Sequence, residues 1–519
     1  MNGTRLKSYL ASLTGRERIG LAARVLSVLF CLILQIVMAD EFGSDERELC
    51  ITVPVLIGAA FFCGPFLFSL LYVPVFLMLL TDTHLYRAYG LSLFSVGEQI
   101  SAVILDANKA EIFEYICKIG LFELTALFLL VPTLVCLFFF KPKLTGIEKT
   151  WRTAVISTVL LCYPFGYVSH LYPAVLSKFA KETTKRLAEA EAFRFRPDGT
   201  GTKADTVVVL IGESHRYPEF MHAFDKHANR FQNLYPFSDM ISQYANTLAT
   251  VPTILSRKKA NDPYAFFNEK SLFALFKEAG YATYFVHYVS TSSEMNDLSF
   301  IYRQADRFIR YEKNVSETTD EKIRPVLDRI LAEPQKKKLI VIKMIGVHIA
   351  FDRRYPDPEK TMLRNLFSMF GKRTKEKELY HYGKAVSYSA GIVADIMTTV
   401  DRRPEPAMLF FSSDHGFCIF DKGHFHLPAN CRNAFHIPAM FLLNPALSAI
   451  TDEETKQKLL CNADKALTQD YDFETVASLA GIRYPSANAA YDLTKTCDPL
   501  AGKKRRVNTA ARIVAYEDI

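Results

Sequence analysis

The sequence predicts an α/β domain with a mostly parallel sheet, set behind a block of five membrane-spanning helices. Three observations predict it. Long apolar blocks are confined to residues 19–176. Strand-like runs alternate with helical stretches beyond residue 204, the pattern of a layered α/β domain. Two of those runs, Val207–Ile211 and Met408–Phe411, lead through small residues to acids, Glu213 and Asp414, so that buried strands deliver polar side chains at their carboxyl ends.

The membrane block is read from hydropathy and loop charge. Val25–Ala39, Ile51–Leu80, Gly120–Phe140 and Thr153–Leu176 are the apolar stretches, and a span needs about 20 residues. The N-terminal segment carries Arg5, Lys7, Arg16, Arg18 and Arg24 against Glu17, and the loop Lys141–Arg152 is also basic, so both are expected inside. Asp40–Glu48 and Thr81–Cys117 are acid-rich and expected outside. The thirty uncharged residues Ile51–Leu80 must then leave and return on one face, turning near Gly64-Pro65. Five spans result, with a transmembrane domain over 1–176, an amphipathic linker over 177–203 and an extracytoplasmic domain over 204–519.

In that last segment strands are expected at Thr206–Ile211, Thr283–Tyr288, Leu339–Ile345 and Met408–Ser412. Helices are expected at Lys270–Ala279, Asp320–Leu331, Tyr380–Val400 and Glu453–Asp464. Four cysteines fall there, Cys418, Cys431, Cys461 and Cys497, enough for two disulfides in an oxidising compartment, with the pairing open. The net charge of +7 is spread along the chain and forms no concentrated basic face, which excludes a nucleic-acid partner. Lys503–Arg506 reads as a solvated surface patch, or one touching anionic lipid.

The chemistry-bearing residues sit at strand ends. Glu213 taken alone is as good a helix cap as a ligand. Asp414-His415-Gly416 is stronger, because a carboxylate oxygen with an imidazole nitrogen suits zinc and glycine lets the chain turn sharply. Between them, Ser242–Pro252 holds Thr247 and Thr250; a threonine at a helix N-terminus beside a metal ion can lose its proton and attack phosphorus or sulfur. His348, His424, His426 and His436 complete the set.

These residues carry a resemblance. Gly212-Glu213-Ser214 with Arg216, the threonines before Pro252, Gly346-Val347-His348 with Arg354-Tyr355-Pro356, Ser413-Asp414-His415-Gly416 and His436-Ile437-Pro438 are similar in order and spacing to the membrane-bound phosphoethanolamine transferases of Gram-negative bacteria. That family is a branch of the alkaline phosphatase and sulfatase superfamily. The resemblance implies an alkaline-phosphatase-like α/β/α catalytic domain in the periplasm, anchored in the inner membrane by five spans. It implies that Glu213, Asp414, His415 and Thr247 bind zinc, one ion or two. Thr247 would be the nucleophile, with Thr250 in reserve. His348 and one of His424 and His426 would contact the phosphoryl group, assist proton transfer or hold a second ion. The donor would be phosphatidylethanolamine, the acceptor a surface glycolipid or glycan such as lipid A or the lipopolysaccharide core, and the enzyme a monomer. The sequence departs from the family where Phe417 follows Asp-His-Gly in place of a glutamate that would suit the ethanolamine ammonium. Two readings therefore stay open beside it: a phosphoglycerol transferase or other sulfatase-like hydrolase, and a catalytically silent membrane-anchored binding protein.

Overall fold

The computed structural model of the chain describes residues 190–198, 201–259, 269–287, 301–311, 319–349, 351–357, 374–421, 425–426, 431–509 and 513–519, with residues 11–12, 14–15, 18–19 and 22 near the start. The chain divides into two units, one drawn from Met1–Ser101 with Phe113–Ala180 and the other holding Lys181–Ile519. In the first, the few described residues are exposed and, apart from Thr14, helical. The predicted spans lie outside the described residues, and among the described residues no helix is long and apolar enough to cross a membrane. Of the predicted linker helix, the described end is helical at residues 190–192 and irregular from Phe193. Phe195 is buried and packs on Phe473 at 5.8 Å and Tyr484 at 5.5 Å, so the linker's end belongs to the core of the domain that follows.

In chain order that domain runs β1 (Thr206–Gly212), α1 (Tyr217–Ala228), β2 (Leu234–Ile241), α2 (Thr247–Ile254), α3 (Leu272–Glu278), β3 (Ala282–His287) and β4 (Arg307–Arg310). It continues with α4 (Ile323–Leu331), β5 (Lys338–Lys343), α5 (Lys375–Asp401), β6 (Ala407–Ser413), β7 (Cys418–Ile419), β8 (Phe425–His426) and β9 (His436–Leu443). The last elements are α6 (Pro445–Ile450), α7 (Glu453–Cys461), β10 (Ala466–Thr468), α8 (Asp472–Leu479), β11 (Arg506–Asn508) and β12 (Ile513–Ala515).

One eight-stranded sheet organises them, in the order β10-β2-β9-β6-β1-β5-β3-β4. All neighbours are parallel except β9, which runs antiparallel to β2 and β6. The mostly parallel sheet is therefore as expected, and the apolar runs explain it. A strand flanked on both edges and covered on both faces has no polar face to show, and every residue of β1 is buried. Side chains alternate between faces. Val207, Val209 and Ile211 join a cluster with α3 and α8, while on the opposite face Phe411 of β6 stacks on Phe220 of α1 at 4.9 Å. Helices thus lie on both sides of the sheet.

Helix ends are capped by residues the sequence supplies. Asn246 accepts from the Ala249 amide at 2.9 Å to start α2, and Asp452 accepts from Thr455 at 2.8 Å to start α7. β2, β9 and α1 add to the expected elements: Pro236 interrupts the strand signal of the first, and the apolar run Ile437–Leu443 forms most of the second. The four cysteines pair as Cys418–Cys431 and Cys461–Cys497.

Candidate active site

The site grows from three adjacent strand ends. β1 and β6 pair up to Gly212 and Ser413, and β1 and β5 up to Ile211 and Lys343, so Glu213, Lys343 and Asp414 leave the sheet side by side. Past β1 the backbone turns sharply: Ser214 has φ of 59°, the left-handed region that L-residues seldom occupy. The turn is held from both sides. The Tyr382 hydroxyl donates to the Ser214 carbonyl and accepts from the Arg216 amide, each at 2.8 Å. Past β5 the chain must lie flat on Glu213. Gly346 has φ of 53°, and a Cβ there would sit 2.8 Å from the Glu213 nitrogen, so only glycine fits. The same turn is fixed by Asp320, which accepts from the amides of Ile345 at 2.9 Å and Gly346 at 2.8 Å. Past β6, a Cβ on Gly416 would meet the Asn433 carbonyl oxygen at 2.0 Å, so there too only glycine fits.

Onto these ends α2 delivers Thr247, its first residue. Thr247 Oγ1 lies 2.9 Å from Glu213 Oε2, 2.8 Å from Asp414 Oδ2 and 3.3 Å from His415 Nε2. Glu213, Asp414 and His415 are buried, and Thr247 is the partly exposed residue of the group. His415 Nδ1 lies 2.6 Å from the Gly416 carbonyl and must donate to it, which leaves the Nε2 lone pair facing Thr247. The donor atoms of Glu213, Asp414 and His415 lie within 4.8 Å of one another, a group that could hold a metal ion. Two carboxylates and an imidazole nitrogen suit a zinc-type site in which the Thr247 hydroxyl takes the fourth position.

A fully buried ammonium completes the cluster. Lys343 Nζ is 2.7 Å from Glu213 Oε2 and 3.1 Å from Asp414 Oδ2. Burial alone would weaken the ammonium, but Asp414 and Glu213 outweigh it and raise the lysine above its ordinary range. Burial likewise opposes ionisation of Glu213, yet Lys343, His415 and His348 hold it well below the usual carboxylate range. Asp414 goes the other way: burial and the neighbouring Glu213 charge raise it. His215, buried beside this cluster, is pushed down to about 3 by burial and then by Lys343, so it is neutral. Lys343, Asp320 and Tyr382 escaped the sequence reading; a lone lysine ending an otherwise apolar strand was the available signal.

The other expected residues fall as follows. Thr250 is buried and donates to the Asn246 carbonyl at 2.8 Å, so its hydroxyl is spent on the helix backbone. His348 follows β5, its Nδ1 2.7 Å from the Ile349 carbonyl, and the Arg354 guanidinium braces that loop by donating to the carbonyls of His348 and Ile349, both at 2.9 Å. His424 lies outside the described residues. The backbone of His426 pairs with Cys418 in the β7–β8 hairpin, and its side chain lies outside the described part. His436 is structural: it stacks on Tyr217 at 4.5 Å and contacts the Ser238 carbonyl at 3.0 Å. Phe417 is buried, edge-on to Phe351 at 5.3 Å.

A sulfatase family model matches residues 205–482, more than half of the chain and the whole of this sheet. The chain belongs to the sulfatase family. Within it, the chain is 24% identical over 375 residues to the phosphoethanolamine transferase EptC of Escherichia coli O18:K1:H7, a match covering 63% of this chain and 64% of that protein. The C-terminal periplasmic domain of EcEptC from Escherichia coli, solved in complex with Zn, superposes with a TM-score of 0.53 at 19% identity, over 62% of this chain and 95% of that one. The integral membrane protein lipooligosaccharide phosphoethanolamine transferase A from Neisseria meningitidis superposes with a TM-score of 0.62 at 16% identity, over 92% of this chain and 98% of that one. At these identities the solved structures speak for the fold.

Proposed function

We propose that this sulfatase-family chain is a phosphoethanolamine transferase that moves the head group of phosphatidylethanolamine to a surface glycolipid or glycan through Thr247. One observation carries the reading: the hydroxyl of a partly exposed threonine stands within 3.3 Å of a buried Glu-Asp-His donor set. The match to phosphoethanolamine transferases supports the head group. Glu213, Asp414, His415 and Thr247 would hold the zinc ion, which when bound acidifies the hydroxyl and draws charge from the phosphoryl oxygens.

In the first half-reaction Thr247 Oγ attacks the donor phosphorus, the phosphorus–oxygen bond to diacylglycerol breaks, and that oxygen leaves with a proton. In the second, an acceptor oxygen attacks the phosphothreonine, Thr247 is released, and the acceptor's proton returns to the site. Splitting one displacement into two lowers each barrier. Thr247 is the first residue of α2, and a helix N-terminus favours the anionic phosphoryl group. His348 and one of His424 and His426 are the proposed phosphoryl contacts and proton carriers.

The reading includes a five-span membrane domain over 1–176, a linker over 177–203 and a periplasmic catalytic domain over 204–519. Loop charge, the two disulfides and the likeness across 92% of the chain to an integral membrane protein support it. Phe417 favours a second reading, in which the donor head group is phosphoglycerol, because a buried phenyl ring replaces the carboxylate that would meet an ammonium. The test is to trap the intermediate with phosphatidylethanolamine vesicles and weigh the peptide containing Thr247. A phosphoethanolamine increment is expected. A phosphoglycerol increment, obtained only with phosphatidylglycerol vesicles, selects the second reading, and no adduct on Thr247 with either lipid overturns both.

A further inference from the structure

We infer that Lys343 is a second cation built into the fold: it fills the rear of the Glu213–Asp414 carboxylate pair and limits that pair to a single metal ion. The inference rests on the metal-site reading above and concerns how many ions the site takes.

The carboxylate oxygens are fully assigned. Glu213 Oε1 accepts from Ser214 Oγ at 2.7 Å, and Asp414 Oδ1 accepts from the amides of His415 at 2.7 Å and Ser214 at 3.1 Å. The remaining two, Glu213 Oε2 and Asp414 Oδ2, each have two neighbours. On one side is Thr247 Oγ1 at 2.9 and 2.8 Å; on the other is Lys343 Nζ at 2.7 and 3.1 Å. The two sides differ. Thr247 is a partly exposed residue, whereas the lysine side chain is wholly buried.

The ammonium is also saturated. It carries three hydrogens and no acceptor, and the two carboxylates plus the Gly212 carbonyl at 3.0 Å take all three, with the Met344 carbonyl farther off at 3.4 Å. A second ion bridging these oxygens from behind would need the lysine's position. Electrostatics points the same way. The lysine cancels one of the two carboxylate charges, leaving a divalent ion on the Thr247 side a site of net single negative charge from these three groups, which weakens its hold and sharpens its pull on the hydroxyl. Lys343 is thus a charge-setting residue acting through the ligands.

The experiment uses the full-length protein and zinc alone. Crystals soaked in excess zinc are measured at the zinc absorption edge, and anomalous peaks within bonding distance of Glu213 or Asp414 are counted. One peak, on the Thr247 side, is expected. Two peaks sharing the carboxylate pair overturn the inference while leaving the metal-site reading intact; no peak overturns both. Removing the ammonium also removes the carboxylates' counter-charge and risks the fold, so wild type carries the deciding count. Folded Lys343→Met, titrated against a competing chelator at pH 8, is expected to bind its ion at least about tenfold more tightly, and Lys343→Arg within about threefold of wild type. Equal or weaker binding by folded Lys343→Met overturns the charge-setting role.

Discussion

Replacing Thr247 by valine removes one oxygen and little else. Valine keeps the branch at Cβ, so the side chain's rotamer and the start of α2 are retained. The cost can be worked from hydrogen positions. The hydroxyl has one proton but faces two carboxylate oxygens at 2.8 and 2.9 Å. One contact is donated by Thr247. The other carboxylate oxygen competes for the same proton. Valine deletes the shared bond. A bond to a charged group is worth roughly 1.5–3 kcal/mol, and Lys343 still partners both carboxylates, so a net loss of about 2 kcal/mol in metal-free stability is expected. Turnover should fall far more, by roughly four orders of magnitude or more, because no nucleophile is left. The assay is release of fluorescent diacylglycerol from labelled phosphatidylethanolamine, beside chemical denaturation of the metal-free protein. Thr250→Val is the control: its hydroxyl serves the Asn246 carbonyl, so it should cost about 1 kcal/mol and leave turnover within about threefold. Turnover by Thr247→Val within tenfold of wild type, or a collapse confined to Thr250→Val, refutes the reasoning.

Tyr382→Phe removes the hydroxyl that clamps both sides of Ser214; a stability loss of about 2 kcal/mol and weaker zinc binding are expected, measured by denaturation and chelator competition. The double variant Cys418→Ser, Cys431→Ser opens a 13-residue separation, which chain entropy values at roughly 3 kcal/mol, and reductant should lower wild-type stability while leaving the variant unmoved at this bridge. Asp470 is raised to about 6 by burial, against its unfolded value near 4. The folded state therefore holds the proton more tightly, and stability falls as pH rises from about 4 through 6. Asp470→Asn should gain on wild type over that window by at most about 3 kcal/mol, read from denaturation midpoints at pH 4 and 7.5; a constant difference contradicts the assignment.

The parallel core was legible because its strands are buried on both faces and read as unbroken apolar runs; β1, β3, β5 and β6 were found within two residues of their ends. β2 was not, because it alternates and contains Pro236, and alternation interrupted by proline is a weak signal. The convergence of Glu213, Thr247, Asp414 and His415 was legible because strand ends and helix starts are where side chains leave the backbone in known directions. Lys343, Asp320 and Tyr382 were not. Their meaning lies in contacts across 130, 26 and 168 positions, and periodicity carries no information about such distances.

The order of the sheet has a consequence for how the protein is made. β1 lies at the centre, but its two partners, β5 and β6, begin at Lys338 and Ala407, long after Thr206. During synthesis β1 therefore waits with both edges unpaired until β5 emerges at Lys338, and with one apolar edge open to other chains until β6 emerges at Ala407. The donor set is incomplete for the same interval. Assembly of the Glu213–Asp414–His415 group is thereby coupled to completion of the sheet, because Asp414 and His415 follow the last of its central strands.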